Sequence, residues 1–385
     1  MSTSETRPEG HPLHQIYFYL TEGCNLRCRH CWVLPEKNAP RQADAFLKVE
    51  LFENIVEQGR PLGLHTVKLT GGEPFLHPQI SRILEIIKDA DLRLVVETNG
   101  VLLTPELAKA VAACRNPHIS VSLDGAEAET HEWVRGVPGC FEAALNGITY
   151  LVQAGLKPQI IFSMMRQNRD QMEAVVRLAQ KLGAGSLKFN VIQASPRADL
   201  MQDNEETLSV PELIELGRWV EEELIKEVDL FLIFHYPPAF RSLSLLCEGN
   251  GNFCSCGIMN IIGVLADGSY ALCGIGGNVP ELVFGHAARD RLADVWNNHP
   301  VLRDIREGLP KRLTGVCGDC LVRSRCLGFC LAQNYYVDHN LWAPYWFCEQ
   351  AEAAGLFPAS RKSPILREES TCTSENPEKS LLTGN

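Results

Sequence analysis

Long apolar runs are missing from this 385-residue chain, and none reaches the ~18 to 20 residues that a membrane-spanning helix needs. Residues 1 to 14, "MSTSETRPEGHPLH", are polar and contain no apolar core of the kind an export signal carries. Basic charge is scarce as well: 36 Lys and Arg stand against 47 Asp and Glu, for a formal net charge of −11. A surface that neutralises phosphates needs clustered cations. These shortages exclude a membrane span and a general nucleic-acid partner, and they predict a cytoplasmic protein. Compositional extremes are absent too, since 45% hydrophobic and 22% charged residues are ordinary for a globular chain. Length alone predicts two or three domains.

Cysteine, in contrast, is plentiful, with fifteen in the chain. Without an export signal such thiols stay reduced, so clusters of them read as metal ligands or catalysts before disulfides. Cys24, Cys28 and Cys31 fall together in "TEGCNLRCRHCW", directly after the apolar run "IYFYL". Their CxxxCxxC spacing supplies one thiolate fewer than a 4Fe-4S cluster takes and leaves one iron open. Zinc completed by His30 or a distant cysteine is the alternative.

From residue 16 to about 235, β-rich runs alternate with segments of helical period: "IYFYL", "TVKLT", "RLVVET", "HISVSLDG", "QIIFSMM", "SLKFNVI" and "LFLIFH" are separated by amphipathic stretches such as "VELFENIVEQG" and "CFEAALNGITYLVQAG". About six strand-then-helix units mean parallel strands with helices outside, an α/β partial barrel. In such barrels the chemistry sits at the carboxyl ends of the strands, where the thiol triplet, "GGEP" and "ETNG" all fall. After residue 246 cysteines become dense and turn residues multiply, which predicts a small second domain held by something other than a large core. The expected division is a flexible 1–14, a barrel over 15–240, a cysteine-rich domain over 241–358 and a disordered tail over 359–385.

"CNLRCRHC" after the first strand, "GGEP" after the second and "VSLDG" after the fourth resemble the radical SAM enzymes. The resemblance implies that S-adenosylmethionine chelates the open iron and that its reductive cleavage yields a 5′-deoxyadenosyl radical, with the cofactor carrying the hard chemistry. It also implies cofactor contacts for Gly71, Gly72, Glu73 and Pro74 of "GGEP", for Thr98 and Asn99 of "ETNG", for Ser122 and Asp124 of "VSLDG", for Arg135 beside the methionine carboxylate and for His30 against adenine. The glycines are expected to let the backbone approach a ligand.

The carboxyl-terminal order is Cys256, eleven residues, Gly268, four residues, Cys273, then Cys317-x2-Cys320-x5-Cys326-x3-Cys330 and Cys348. This is similar to the SPASM extension of radical SAM enzymes; a zinc ribbon would leave Cys256, Cys273 and Cys348 unexplained. The resemblance implies two auxiliary 4Fe-4S clusters, three clusters in all. Cys317, Cys320, Cys326 and Cys348 would hold the outer one. Cys256, Cys273 and Cys330 would hold the inner one, with Cys254 as fourth ligand, then Cys247, then an open iron. Cys114, Cys140 and Cys372 match nothing and are expected to be plain thiols.

By analogy the favoured reaction is hydrogen abstraction from a ribosomally made precursor peptide, forming a crosslink or oxidised residue while the auxiliary clusters handle electrons. A flavodoxin- or ferredoxin-type donor is implied. So is a separate leader-recognition protein, because only 23 residues precede Cys24. Sulfatase maturation to formylglycine is weaker: those enzymes place an Asp after the second SPASM cysteine, where Cys273 is followed by Gly274. Tetrapyrrole tailoring is a third enzymatic reading. A non-catalytic iron–sulfur carrier would need neither "GGEP" nor an open iron. No general base can be named; His235, Tyr236, Asn190 and Arg241 lie near strand or loop ends and are expected to be structural. The acidic runs "DNEE" and "VEEEL" read as solvated surface.

Overall fold

A computed structural model describes residues 10–32, 46–247 and 257–363. Seven parallel strands run in chain order: β1 (Gln15–Tyr19), β2 (Thr66–Thr70), β3 (Arg93–Thr98), β4 (Arg115–Ser122), β5 (Gln159–Met164), β6 (Ser186–Val191) and β7 (Phe231–His235). Helices α1 (Val49–Gly59), α2 (Ile80–Asp89), α3 (Pro105–Ala112), α4 (Ala128–Arg135), α5 (Cys140–Gln153), α6 (Met172–Leu182), α7 (Pro196–Asp203) and α8 (Val210–Trp219) fall between them. Alternation explains the sheet. Ile16, Phe18, Val67, Leu69, Leu94, Val96, Ile119 and Val121 point to one face and are buried, and α2 carries Ile80, Ile83, Leu84 and Ile87 on one stripe to cover it. The result is an open, partial α/β barrel. Among the described residues, β7 and β10, introduced next, are its edges.

The carboxyl-terminal strands enlarge this sheet rather than building a separate one. β8 (Ile261–Val264) pairs in parallel with β1 on the side away from β2, and β9 (Ser269–Ala271) and β10 (Val283–His286) follow antiparallel. The β8–β9 hairpin turns at Gly268, whose φ of +94° favours glycine. One hydrophobic core runs from Phe18 and Phe52 to Trp296, Tyr345 and Phe347. The expectation of a second domain without a share in a large core is therefore corrected: β1, buried between β2 and β8, serves both parts.

Both expected disordered ends are also corrected where they are described. Leu13 is fully buried, its N–H bonds Leu62 O, and the Trp296 indole donates to His11 O at 2.7 Å. At the other end Arg361 is buried and donates to Arg241 O at 3.0 Å, while Leu321 N–H donates to Arg361 O and Ser363 N–H to Asp319 O. Polar composition hid these contacts because backbone groups make most of them. Residues 1–9 and 364–385, with Cys372, lie outside the described residues.

Because Phe18 packs fully buried against Phe52 with ring centroids 4.4 Å apart, Phe18→Ala is expected to cost about 3–5 kcal/mol. Thermal unfolding of the full chain should show this as one earlier transition; two separated transitions would contradict a shared core.

Candidate active site

The thiol loop begins where β1 ends, and "GGEP" is pressed against it. Gly72 N–H donates to Thr21 O at 2.7 Å and Glu73 N–H to Gly23 O at 2.9 Å. A Cβ at Gly72 would lie 1.9 Å from Gly23 O, and one at Gly71, where φ is +130°, 2.6 Å from Thr21 O. The close approach that needs these glycines is thus made to the backbone of the cysteine loop itself. Pro74 opens the short 3₁₀ turn Pro74–Leu76 and is buried.

Glu73 is fully buried and accepts three hydrogen bonds, from Thr98 Oγ1 at 2.7 Å, Asn99 N–H at 2.8 Å and Phe75 N–H at 3.2 Å. Burial pushes its carboxyl up to about 7, against the pull of those donors. A cationic group placed against it would hold it ionised. Asn99 also reaches the loop, with Nδ2 2.8 Å from Asn25 Oδ1 and 3.8 Å from Cys24 Sγ.

Asp124 and Arg135 form a buried ion pair, with Oδ2 2.6 Å from Nη2. Asp124 Oδ1 accepts Ser163 N–H at 2.7 Å, and Arg135 Nη1 donates to Cys28 Sγ at 3.5 Å. Asp124 therefore holds Arg135 against the sulfur, and Arg135 is no solvated surface residue. Ser122 is half-buried at the end of β4. The His30 ring stands within reach of the charges of Asp124, Arg135 and Arg197; burial, the dominant influence, lowers its pKa to about 4, and Nδ1 is buried without a hydrogen-bond partner.

Four residues here escaped sequence reasoning. Buried Arg197, on the first turn of α7, donates to Cys28 O at 2.6 Å from 169 positions away. Arg29 lies over the Trp133 ring, 4.0 Å from its centroid, and donates to Trp133 O. Asn168 bonds Asp124 O, Ser163 O and Met165 N–H. His131 Nδ1 accepts Asp124 N–H at 3.1 Å. None sits in a spaced motif; only the Ser-Pro start of α7 marked a helix at Arg197.

Cys317, Cys320, Cys326 and Cys348 line one small cavity with Val316, Phe357 and Pro237. Cys330 stands apart from it as the N-cap of the helix Leu331–Asp338, its sulfur facing the Ala332 and Gln333 N–H groups. Cys273 faces the Tyr19 phenol. Gly274 packs on the same ring, and a Cβ there would lie 2.3 Å from it, so a side chain cannot enter without displacing Tyr19. Cys254 and Cys256 lie outside the described residues, as does the Cys247 side chain. Cys114 and Cys140 are buried core thiols, as expected. Asn190 and His235 are neighbours across β6 and β7 on the inner face of the barrel, whereas Tyr236 and Arg241 turn outward, with the Tyr236 hydroxyl donating to Glu221 at 2.8 Å and Arg241 to Phe234 O.

The donor set suits iron–sulfur chemistry. Burial pushes Cys24 up to about 12 and raises Cys28, so these sulfurs become thiolates only against a compensating metal charge. N–H and guanidinium donors already face Cys24 and Cys28, as second-shell donors face metal-bound sulfur.

Asp124→Asn leaves Arg135 buried without its anion and is expected to cost about 3–5 kcal/mol, measured by denaturation of the full chain. The acid limb tests His131. Burial holds its pKa at about 4, below the ordinary ~6.5, so the unfolded state takes up a proton first and stability falls as pH drops from about 6.5 towards 4. His131→Asn should remove up to about 3 kcal/mol of that loss; an unchanged pH slope would contradict the assignment.

The radical SAM superfamily model matches residues 18–179, and the iron–sulfur cluster-binding domain model named SPASM matches residues 240–321. The chain is 28% identical over 340 residues to an AdoMet-dependent heme synthase of Methanosarcina barkeri, covering 83% of this chain and 91% of that protein. It is also 28% identical over 359 residues to the mycofactocin maturase MftC of Mycobacterium tuberculosis, covering 90% and 86%. Its fold matches Streptococcus suis SuiB, solved with the precursor peptide SuiA, at a TM-score of 0.69 and 17% identity over 88% of this chain and 76% of that one. Residues 18–179 are thus a radical SAM domain and residues 240–321 a SPASM domain, joined on one sheet with the thiol loop clasped as described, and these domains imply 4Fe-4S clusters and S-adenosylmethionine as cofactors.

Proposed function

We propose that the protein modifies a ribosomally made peptide in the cytoplasm, forming a crosslink or an oxidised residue. The observation that carries this reading is a cleft of about 690 Å³ at the carboxyl ends of β5 and β6, between α7 and the helix Trp346–Ala353. Met164, Val191 and Trp346 give it apolar walls, and Asp199 and Glu205 give it acidic ones. The Arg166 guanidinium also lines it, but is occupied by both oxygens of Glu212, at 2.8 and 3.0 Å. Mixed walls of this kind suit a chain of neutral and basic side chains. They suit a tetrapyrrole fringed with carboxylates less well. The similarity to MftC over most of both chains supports the same reading.

Tetrapyrrole tailoring is the second reading, favoured by the 28% identity to the heme synthase over 91% of that protein. Formylglycine formation is disfavoured by Gly274, since Tyr19 fills the space a carboxylate would need.

Cys24, Cys28 and Cys31 would hold the S-adenosylmethionine-binding cluster. Cys317, Cys320, Cys326 and Cys348 would hold the outer auxiliary cluster, and Cys273, Cys330, Cys256 and Cys254 the inner one. When bound, these groups supply hydrogen-atom abstraction and one-electron transfer. The protein's part is orientation. Glu73, fixed by three donors, offers a carboxylate to an ammonium. Arg135, fixed by Asp124, offers a cation to a carboxylate or to sulfur. Thr98 and Asn99 lock Glu73 and the loop in register. Gly71, Gly72 and Pro74 shape the turn that brings them together, while Ser122 and His30 border the same space. A flavodoxin- or ferredoxin-type protein would deliver the electron, and a separate recognition protein would present the peptide leader.

Co-expression with the short peptides encoded beside its gene, followed by mass spectrometry, is expected to show a mass change on one peptide that Cys24→Ala abolishes. Unmodified peptides together with conversion of a tetrapyrrole would overturn the peptide reading.

A further inference from the structure

Three strands put a row of neutral polar side chains on the inner face of the barrel, just inside its carboxyl ends. Register aligns Ser163 of β5 with Asn190 of β6, and Asn190 with His235 of β7. Their chain neighbours Phe162, Met164, Phe189, Val191, Phe234 and Tyr236 are buried in the core on the opposite face, so the three side chains share the inner one. The row joins the site already described, because Ser163 N–H donates to Asp124 Oδ1 at 2.7 Å. At its other end the His235 ring meets Phe329, with 5.0 Å between centroids, next in sequence to Cys330.

Two observations show that the row is incomplete. Asn190 Oδ1 is buried and accepts no hydrogen bond, a state that costs free energy until a donor meets it. On the same face Glu97, in the central strand β3, keeps 45% of its side-chain surface accessible. Close packing would not allow this, so the described residues leave room for a guest.

The guest has to bring a donor. A carboxylate offers acceptors only and cannot satisfy Asn190 Oδ1. An ammonium would leave water to face three neutral groups, and Glu97, the one acid at the inner positions of β1 to β7, is held by Lys68 at 2.6 Å. His235 is uncharged too: burial, assisted by the charges of Lys188 and Arg241, holds its pKa well below the ordinary ~6.5. A neutral imidazole has one N–H to give and one nitrogen that accepts. An amide is the complement of this pair, with an N–H for Asn190 and a carbonyl for the imidazole N–H. The match survives if the Asn190 amide turns over, because the imidazole exchanges its donor and acceptor roles with it.

We infer that Asn190 and His235, flanked by Ser163, form an amide-binding subsite in the barrel lumen, where they hydrogen-bond the N–H and carbonyl of one substrate amide. The inference rests on the proposed function for the amide's source, a peptide bond or an Asn or Gln side chain; a tetrapyrrole whose side chains end in carboxylates offers no such group. Holding one amide between Asp124 and Phe329 fixes which part of a peptide faces the thiol loop.

The test uses the full chain reconstituted with iron and sulfide without oxygen. Equilibrium binding is measured for three uncharged probes: acetylated tetra-alanine methylamide, the matching acetylated tetra-lactate methyl ester, which has no amide, and the same tetra-lactate carrying one carboxamide side chain. At least one amide probe is expected to bind about tenfold more tightly than the plain ester. Preference for the alanine peptide assigns a peptide bond, and preference for the carboxamide-bearing ester assigns an Asn or Gln side chain; either upholds the subsite. Asn190→Leu, at wild-type iron content, should bring the ratio to about one. His235→Phe should lower it several-fold while His235→Gln, which keeps a donor and an acceptor, retains most of it. Should Asn190→Leu lose its iron, the His235 pair decides. Equal binding of amide and ester probes, binding of none of them, or a ratio unchanged in Asn190→Leu or His235→Phe overturns the subsite and leaves the peptide reading to its own co-expression test. An amide preference that holds while that test shows only a converted tetrapyrrole overturns the peptide reading and not the subsite.

Discussion

The buried ion pair between Asp124 and Arg135, 2.6 Å long, is the interaction on which the site depends. Two charges removed from water are tolerable only if most of the remaining lone pairs and protons find partners, and the surrounding structure supplies them for all but Arg135 Nε. Ser163 N–H takes one carboxylate oxygen, Arg135 turns its other nitrogen to Cys28 Sγ, and Asn168 ties the Asp124 and Ser163 carbonyls together. Strands β4 and β5, helix α4 and the thiol loop are thereby locked to one another. A network of this kind specifies one arrangement because any partial break leaves a buried charge exposed to apolar surroundings.

A second constraint is the sharing of β1. Its backbone is hydrogen-bonded to β2 on one side and to β8 on the other, and its last residue, Tyr19, touches both halves of the chemistry. The Tyr19 ring meets Trp32, next to Cys31, at 6.2 Å, and its phenol faces Cys273 and Gly274. The thiol loop and Cys273 are therefore neighbours through one side chain. That closeness is a consequence of the sheet, not of a flexible linker.

Much of this was legible beforehand because periodicity and motif spacing are local properties. The run "VELFENIVEQG" is α1 residue for residue, all seven strand runs are strands, and the residues of "GGEP", "ETNG" and "VSLDG" do gather around the cysteine loop. What escaped was long-range. Arg197 reaches Cys28 only because β6 and α7 return to the barrel mouth, and no spacing rule carries that information. The glycines of "GGEP" were read as making room for a ligand, whereas the atoms that crowd them belong to Thr21 and Gly23. The carboxyl-terminal strands were too short and too rich in turns to announce that they would add to the first sheet. Residues 10–14 and 359–363 looked like free ends because their anchors are backbone hydrogen bonds and single side chains such as Leu13 and Arg361.

Counting metal tests the central claim most directly, namely that the thiols of the amino-terminal loop and of the carboxyl-terminal part serve one iron–sulfur enzyme. Iron, sulfide and zinc should be measured per chain on protein purified and reconstituted without oxygen. About twelve irons with matching sulfide, the content of three 4Fe-4S clusters, is the predicted result. About four irons with one or two zincs would mean that the carboxyl-terminal cysteines are structural zinc ligands, and would contradict the account of an electron-handling second half.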